Sequence, residues 1–468
     1  MNKVWQLGRA VRVSVLIAIG VFASLPMVAQ SSYILTAAPS DVQTIAGRHG
    51  LTVVKELFDD SSGKYCVMLV TSPSVNVPAV ETDVDSDLLV GSFELEQSAF
   101  LPELSGLTQA SLTQSTSAIL ESLPSRNPVS YYGSMVPSNY SSQTATQTIR
   151  VSDARSVTNL TGAGTVAIID TGVDTTHGAL TNVLVPGYNF VSDSYDPSEL
   201  QDLSATTGAA LTQSTSAILE QSTSAILEGQ GVVPLSPSTS AILDQSTSAI
   251  LEGNAPKEFG HGTMVAGIVH LVAPTALIMP LKAFRADGTS NLSDIVRAIY
   301  YAADNGANII SMSFSIGQSS PALQTAVQYA LKKNVAVVAA SGNDGLKIQV
   351  FPASYGGVQG VGSTTSSDLR SSFSNYGSGV TLFAAPGEGV ITTYPAGMYA
   401  AGWGTSFSTP MVAGAAALVL QAHPSSKPGD ITNALSKAKQ IHDMGYGRID
   451  LCLALTELVG GTCPALKP

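Results

Sequence analysis

From about residue 160 onward, short runs that are apolar throughout alternate with longer stretches of helical period. Val166–Asp170, Leu277–Phe284, Asn308–Phe314 and Val335–Ala340 read as buried strands. His261–His270, Leu292–Asp304 (closed by Gly306), Pro321–Lys333, Thr409–His423 and Asp430–Ile441 read as helices. Strands without a polar face, separated by helices, predict an α/β fold with a mostly parallel sheet covered by helices on both sides. In such sheets functional groups gather at the carboxyl ends of the strands.

The pattern before residue 104 is different. Tyr33–Leu35, Leu51–Phe58, Lys64–Val70 and Val90–Phe100 read as strands. Asp41–His49 and a looser stretch before Val90 read as helices, and Asp59–Gly63 is a turn. The order β-α-β-β-α-β predicts a small α+β unit over 31–103. Residues 104–136 are rich in Ser, Thr, Gln and Pro and read as a linker. The larger α/β unit then occupies 137–468.

The first thirty residues carry Lys3, Arg9 and Arg12 ahead of an apolar run, Val13–Phe22, too short to span a bilayer comfortably. This predicts a secretion signal cleaved near Ala29, with an uncleaved anchor as the alternative, and an extracellular or periplasmic protein. With 44% hydrophobic and 12% charged residues, the chain can build a large core. A formal net charge of -12 argues against nucleic acid as a partner. The three cysteines lack zinc-ligand spacing. Cys452 and Cys463 are near enough in sequence to pair, leaving Cys66 odd; three free thiols fit the sequence equally well.

Four segments carry the candidate chemistry: Asp170–Asp174, His261–Gly267, Ser341-Gly-Asn343 and Gly404–Gly414. Each ends a predicted strand or opens a predicted helix. Ser406 starts an apolar helix, where free backbone N–H groups favour developing negative charge. A serine hydroxyl needs a base to take its proton, and His261 suits that task near neutrality. Asp170 is placed to hold the imidazole in one tautomer, and the Asn343 amide to donate to an oxyanion. Taken singly, each is more often a turn former or a helix cap. Four complementary types at such places point to acyl transfer.

On these motifs the chain resembles the subtilisin-like (subtilase) serine proteases, from about 137 to 460. The resemblance implies a serine endopeptidase acting on proteins or peptides, with Asp170, His261 and Ser406 as triad and Asn343 as oxyanion donor. It implies that Ser313, Phe314 and Ser315 form the substrate edge and one wall of the first specificity pocket. Ala340 and Gly342 belong to the opposite wall, and Leu292 to a deeper apolar pocket. Ser315 stands where a glycine is common. The 31–103 unit resembles the family's inhibitory propeptide, which makes the chain a self-processing zymogen. Many subtilases carry a calcium loop after the base helix, but Gly267–Pro274 runs straight on. No cofactor is expected, and calcium is left open only elsewhere.

The repeat Gln-Ser-Thr-Ser-Ala-Ile-Leu-Glu occurs at 114–121, 213–220, 221–228 and 245–252, with a variant at 237–244. Four copies fall in an insertion at about 191–253, between acid and base. Apolar positions seven apart suggest two short helices packed as a hairpin. A tolerated duplication, a lid near the cleft and self-association through the repeats all fit. A binding or assembly module on a subtilase scaffold is the rival to an enzyme.

Overall fold

The computed structural model describes residues 30–101, 128–202, 241–242 and 258–465. The N-terminal unit contains β1 (Ser31–Ala37), α1 (Val42–His49), β2 (Thr52–Asp59), β3 (Cys66–Ser72), α2 (Val77–Asp85) and β4 (Val90–Leu95). Its sheet order is β2-β3-β1-β4, antiparallel throughout. Side chains alternate between the two faces. Tyr33 and Leu35 pack under α1 with Val42 and Ile45, whereas Ile34, Phe58 and Val67 face the larger unit.

The strand expected over 90–100 changes partner part-way. β4 stops at Leu95, and a separate β5 (Ser98–Phe100) pairs with β12 (Thr289–Asn291) of the larger unit. The break begins at Glu96, and both Glu96 and Glu94 at the end of β4 bond to that unit.

Part of the expected linker is also ordered. β6 (Pro128–Tyr131) and β7 (Ser134–Pro137) form a hairpin. The reason is tertiary: the Tyr131 hydroxyl donates to the Leu271 carbonyl at 2.7 Å, and Val136 is buried. The Ser-, Thr- and Gln-rich stretch before it conceals such anchors.

After α3 (Val151–Thr158), the nine-stranded main sheet uses β8 (Thr165–Asp170), β9 (Tyr188–Asn189), β11 (Leu277–Lys282), β13 (Ile309–Met312) and β14 (Ala336–Ala340). It is completed by β15 (Gln359–Thr364), β16 (Phe383–Pro386), β19 (Ala438–Lys439) and β20 (Arg448–Ile449). The order is β19-β20-β16-β15-β14-β13-β8-β11-β9. All pairings are parallel except β19–β20 at the edge.

Alternation along β8 sets the layers. Val166 and Ile168 join one core with α4 (His261–Val272), α7 (Thr405–Ala422), α8 (Pro428–Leu435) and α9 (Leu451–Val459). Ala167 and Ile169 join the other with α5 (Leu292–Asp304) and α6 (Pro321–Lys332). This is the α/β three-layer arrangement expected from the apolar strands.

The N-terminal unit covers α5 and α6. Phe58 stacks on Tyr300 with ring centroids 3.7 Å apart, and Tyr329 meets Phe58 edge-on. Cys452 and Cys463 are disulfide-bonded, which resolves the pairing the sequence left open; Cys66 is free and buried.

The expected signal segment and four of the five repeat copies lie outside the described residues. So does most of the insertion, together with its expected helix hairpin. Within the fifth copy, Ala241–Ile242 form β10 and pair antiparallel with β18 (Met398–Gly402), which itself pairs with β17 (Val390–Tyr394). Residues 191–202, assigned to the insertion by sequence, belong to the ordered unit. Asn189 and Ser194 bond each other's backbones, and Glu199–Asp202 form a short helical turn.

Candidate active site

Asp170 is the last residue of β8, His261 the first of α4 and Ser406 the second of α7. Asn343 follows β14 by three residues. All four therefore meet at the carboxyl edge of the sheet, where their backbone positions are fixed by rigid elements.

Asp170 Oδ1 accepts from His261 Nδ1 at 2.7 Å and from the Thr171 backbone N–H at 2.8 Å. Both side chains are almost wholly buried. Their approach depends on Gly262: a Cβ there would lie 2.0 Å from the Gly172 carbonyl oxygen. Burial alone would lower the His261 pKa. The adjacent Asp170 charge and hydrogen bond outweigh it, with Glu258 and Glu199 adding to them, so the pKa is raised above the ordinary imidazole value.

Ser406 sits in the first turn of α7, and Phe407 beside it meets the His261 ring edge-on at 5.8 Å. Among the described residues, the Ser406 hydroxyl donates to the Ser313 carbonyl at 3.0 Å rather than to His261. Ser313 returns a bond, its hydroxyl donating to the Ser406 carbonyl at 2.9 Å. That carbonyl needs an outside donor. Its helical partner four residues on is Pro410, which has no N–H.

Asn343 is oriented by Thr405. Its Oδ1 accepts from the Thr405 N–H at 2.9 Å and hydroxyl at 2.8 Å. The other end of the amide is thereby fixed beside Gly404. Gly404 has φ 136 and ψ 164, a conformation open essentially to glycine, and a Cβ there would sit 3.2 Å from Asn343 Nδ2. The nucleophile segment thus requires its glycine for both backbone and space.

The expected substrate-side residues are all close by, with differing exposure. Ser315 is half-buried and bridges antiparallel to Phe100. Ala340 and Gly342 are buried beside Asn343. Phe314 packs on Phe284 at 5.0 Å, and Leu292 lies in the same apolar cluster as Ala99 and Leu101. β5 therefore runs between β12 and Ser315, with Leu101 N–H donating to the Gly288 carbonyl at 3.0 Å. Ser313 is buried, and its hydroxyl faces the Ser406 carbonyl.

Sequence reasoning missed two buried residues behind the dyad. Glu199 accepts from Thr171 and Thr263 hydroxyls and from the backbone of α4. Lys282 Nζ donates to the Thr171 carbonyl and to Asp202, both at 2.6 Å. Lys282 ends an apolar strand, which was a usable signal; Glu199 is an unremarked acid in a polar loop. Among the described residues, no group of three or more His, Cys, Asp or Glu is set to hold a metal ion.

Comparison with known proteins agrees with this geometry. The family profile described as Subtilase family (Peptidase_S8) matches residues 162–450. The chain is 34% identical over 296 residues to the thermophilic serine proteinase of Bacillus sp. (strain AK1), covering 62% of this chain and 61% of that protein. It is 41% identical over 185 residues to subtilisin BL of Lederbergia lenta, covering 38% of this chain and 68% of that protein. In fold it is similar to fervidolysin from Fervidobacterium pennivorans, a keratinolytic enzyme related to subtilisin. That match has TM-score 0.61 and 20% identity, and covers 93% of this chain and 62% of that one. The aligned sequence, the α/β architecture and the meeting of acid, base, amide and serine at one sheet edge lead to one conclusion: the chain belongs to the subtilase family of serine proteases.

Proposed function

We propose that the protein is a secreted endopeptidase made as a self-processing zymogen. Asp170, His261 and Ser406 act as its triad, and Asn343 with the Ser406 N–H as its oxyanion hole. The observation that carries this reading is the buried Asp170–His261 pair at 2.7 Å, set beside Ser406 on a helix N-terminus.

In the mechanism, the Ser406 hydroxyl leaves the Ser313 carbonyl and turns to His261 Nε2, a bond that tightens when substrate is bound. His261 takes the proton as Ser406 Oγ attacks the peptide carbonyl. Asp170 stabilises the resulting imidazolium and keeps Nδ1 protonated. The tetrahedral oxyanion is met by Asn343 Nδ2, whose orientation costs nothing at that moment because Thr405 has already set it. His261 then returns the proton to the leaving amine, and water repeats the sequence on the acyl-enzyme.

The N-terminal unit serves as propeptide. Supporting this, β5 occupies the edge between β12 and Ser315 as a peptide substrate would, and Ala99 and Leu101 fill the apolar cluster of Leu292 and Phe314. Glu94 accepts from the Ala322 N–H at the start of α6, and Glu96 from the Ser293 N–H at the start of α5. A carboxylate at a helix N-terminus is favourable. Export is supported by the Cys452–Cys463 disulfide. The apolar lining favours cleavage after large apolar or aromatic residues; a strictly basic preference in a peptide library would contradict that.

Self-cleavage tests the reading. Purified parent chain is expected to release its N-terminal unit, and sequencing of the mature N-terminus to place the cut between 104 and 136. A chain that stays intact under every folding condition while its disulfide forms would count against the zymogen.

The pH dependence follows from His261. The base must be neutral, and its folded pKa is raised. The imidazolium thus persists to higher pH, and kcat/KM is expected to climb through a midpoint above about 6.5. An acid limb centred below about 6 would show that Asp170 does not hold the imidazole as described.

A further inference from the structure

Glu199 is 0% exposed and lies behind the Asp170–His261 pair. Its Oε1 accepts from the Thr171 hydroxyl and from the Gly262 N–H at 3.2 Å. Its Oε2 accepts from the Thr263 N–H at 3.3 Å and from the Thr263 hydroxyl. One carboxylate thus ties the loop that follows the acid to the first turn of the base helix. The Thr171 hydroxyl also lies 3.3 Å from Asp170 Oδ1 and accepts from the Gly262 N–H at 2.9 Å. Among the described residues, no donor reaches Asp170 Oδ2.

We propose that Glu199 is a positioning residue for catalysis: its carboxylate fixes His261 against Asp170 and, through the single Thr171 hydroxyl proton, controls how many donors Asp170 receives. With Glu199 ionised, that proton points to Glu199. With Glu199 protonated, the acid can donate to Thr171 Oγ1, and the Thr171 proton is released toward Asp170 Oδ1. No bond other than hydrogen bonds changes, and one proton is taken from water.

The groups that face Glu199 are Asp170 and Thr171 from β8 and its loop, His261 and Thr263 from α4, Lys282 from β11 and Tyr394 from β17. Glu258 lies just before α4 and acts on the same His261, while Asp202 shares Lys282. Burial pushes the Glu199 pKa up to about 7, against its hydroxyl donors and Lys282, with Asp170 adding to the rise. The ionised form therefore gains as pH rises through neutrality. Its added negative charge supports the His261 imidazolium in the range where the base works.

This inference rests on the proposed triad, so the experiment reads both. Active sites of the processed enzyme are first counted with a fluorophosphonate; a parent chain that takes no label overturns the triad reading and this inference together. In labelled preparations, Glu199→Gln is expected to lower kcat per titrated site by about ten- to a hundredfold, since small misplacements of catalytic groups cost on this scale. KM should stay within about twofold, and the acid midpoint should move to lower pH as the charge is lost. Glu199→Asp keeps the charge but withdraws it from the helix. It should keep the parent midpoint while kcat still falls by at least about fivefold. If Glu199→Gln does not fold, Glu199→Asp alone decides. Parent kcat per site with the parent midpoint, whatever the change in melting temperature, would make Glu199 merely structural and overturn the proposal.

Discussion

Replacing Ser406 with alanine is expected to lower kcat by about 10^6-fold, the loss a subtilisin suffers when its nucleophile is removed. The chain should also remain in one piece, with its N-terminal unit attached. Ser406 is the hydroxyl on a helix N-terminus whose next residue, Phe407, meets the His261 ring edge-on, and Asn343 is fixed beside it through Thr405. Folding should hardly be affected. Alanine removes one bond to the Ser313 carbonyl, worth about 1–3 kcal/mol when a buried acceptor is left unpaired. Binding of a peptide substrate should persist once the propeptide is removed by another protease. Loss of turnover with retained binding and a near-parent melting curve is the signature of a missing nucleophile. Normal self-processing by the pure alanine variant would contradict it.

The second large effect is expected at Asn343. Asn343→Leu should reduce kcat by about a hundred- to a thousandfold, the loss found on removing the corresponding donor of subtilisin. KM should scarcely change, because the amide meets charge that exists only in the transition state. Leucine also deprives the Thr405 N–H and hydroxyl of their acceptor, so part of the loss would come from the nucleophile segment shifting. Asn343→Asp separates these causes. It keeps the acceptor for Thr405 but sets a negative charge against the forming oxyanion, and its loss should be at least as large. If Asn343→Asp retained parent kcat, Asn343 would be an anchor for Thr405 and not an oxyanion donor.

The candidate constellation was legible because each member sits in a short local pattern. Asp170 and the Ser341-Gly-Asn343 run follow apolar strands, and His261 and Ser406 open helices beside glycines. The layers were legible for the same reason: a strand such as Val166–Asp170 is apolar on both faces only if both are covered. What escaped was held by tertiary contacts. Glu199 meets Thr263 across 64 positions, and nothing in its own neighbours announces it. The Pro128–Pro137 hairpin lies at the end of a stretch rich in Ser, Thr, Gln and Pro and is anchored by the Tyr131 bond to Leu271. The Cys452–Cys463 bond requires the C-terminal segment to return along α9, a turn that spacing alone does not dictate.

Glu94 and Glu96 show how the two units are joined. Burial raises the pKa of both carboxyls against the pull of their backbone donors. Both carboxyls thus hold their protons more tightly in the joined form than free carboxyls would, so the junction is favoured as pH falls, the direction in which His261 becomes protonated.

The central claim is that Ser406 is a nucleophile activated by His261. Its most direct test is to treat the processed enzyme with a fluorophosphonate and locate the adduct by peptide mass mapping. The account predicts one adduct, on Ser406, that is lost in His261→Ala freed of its N-terminal unit by another protease, while the protein remains folded. An enzyme that cleaves peptides yet carries no adduct, or carries it on another serine, would contradict it.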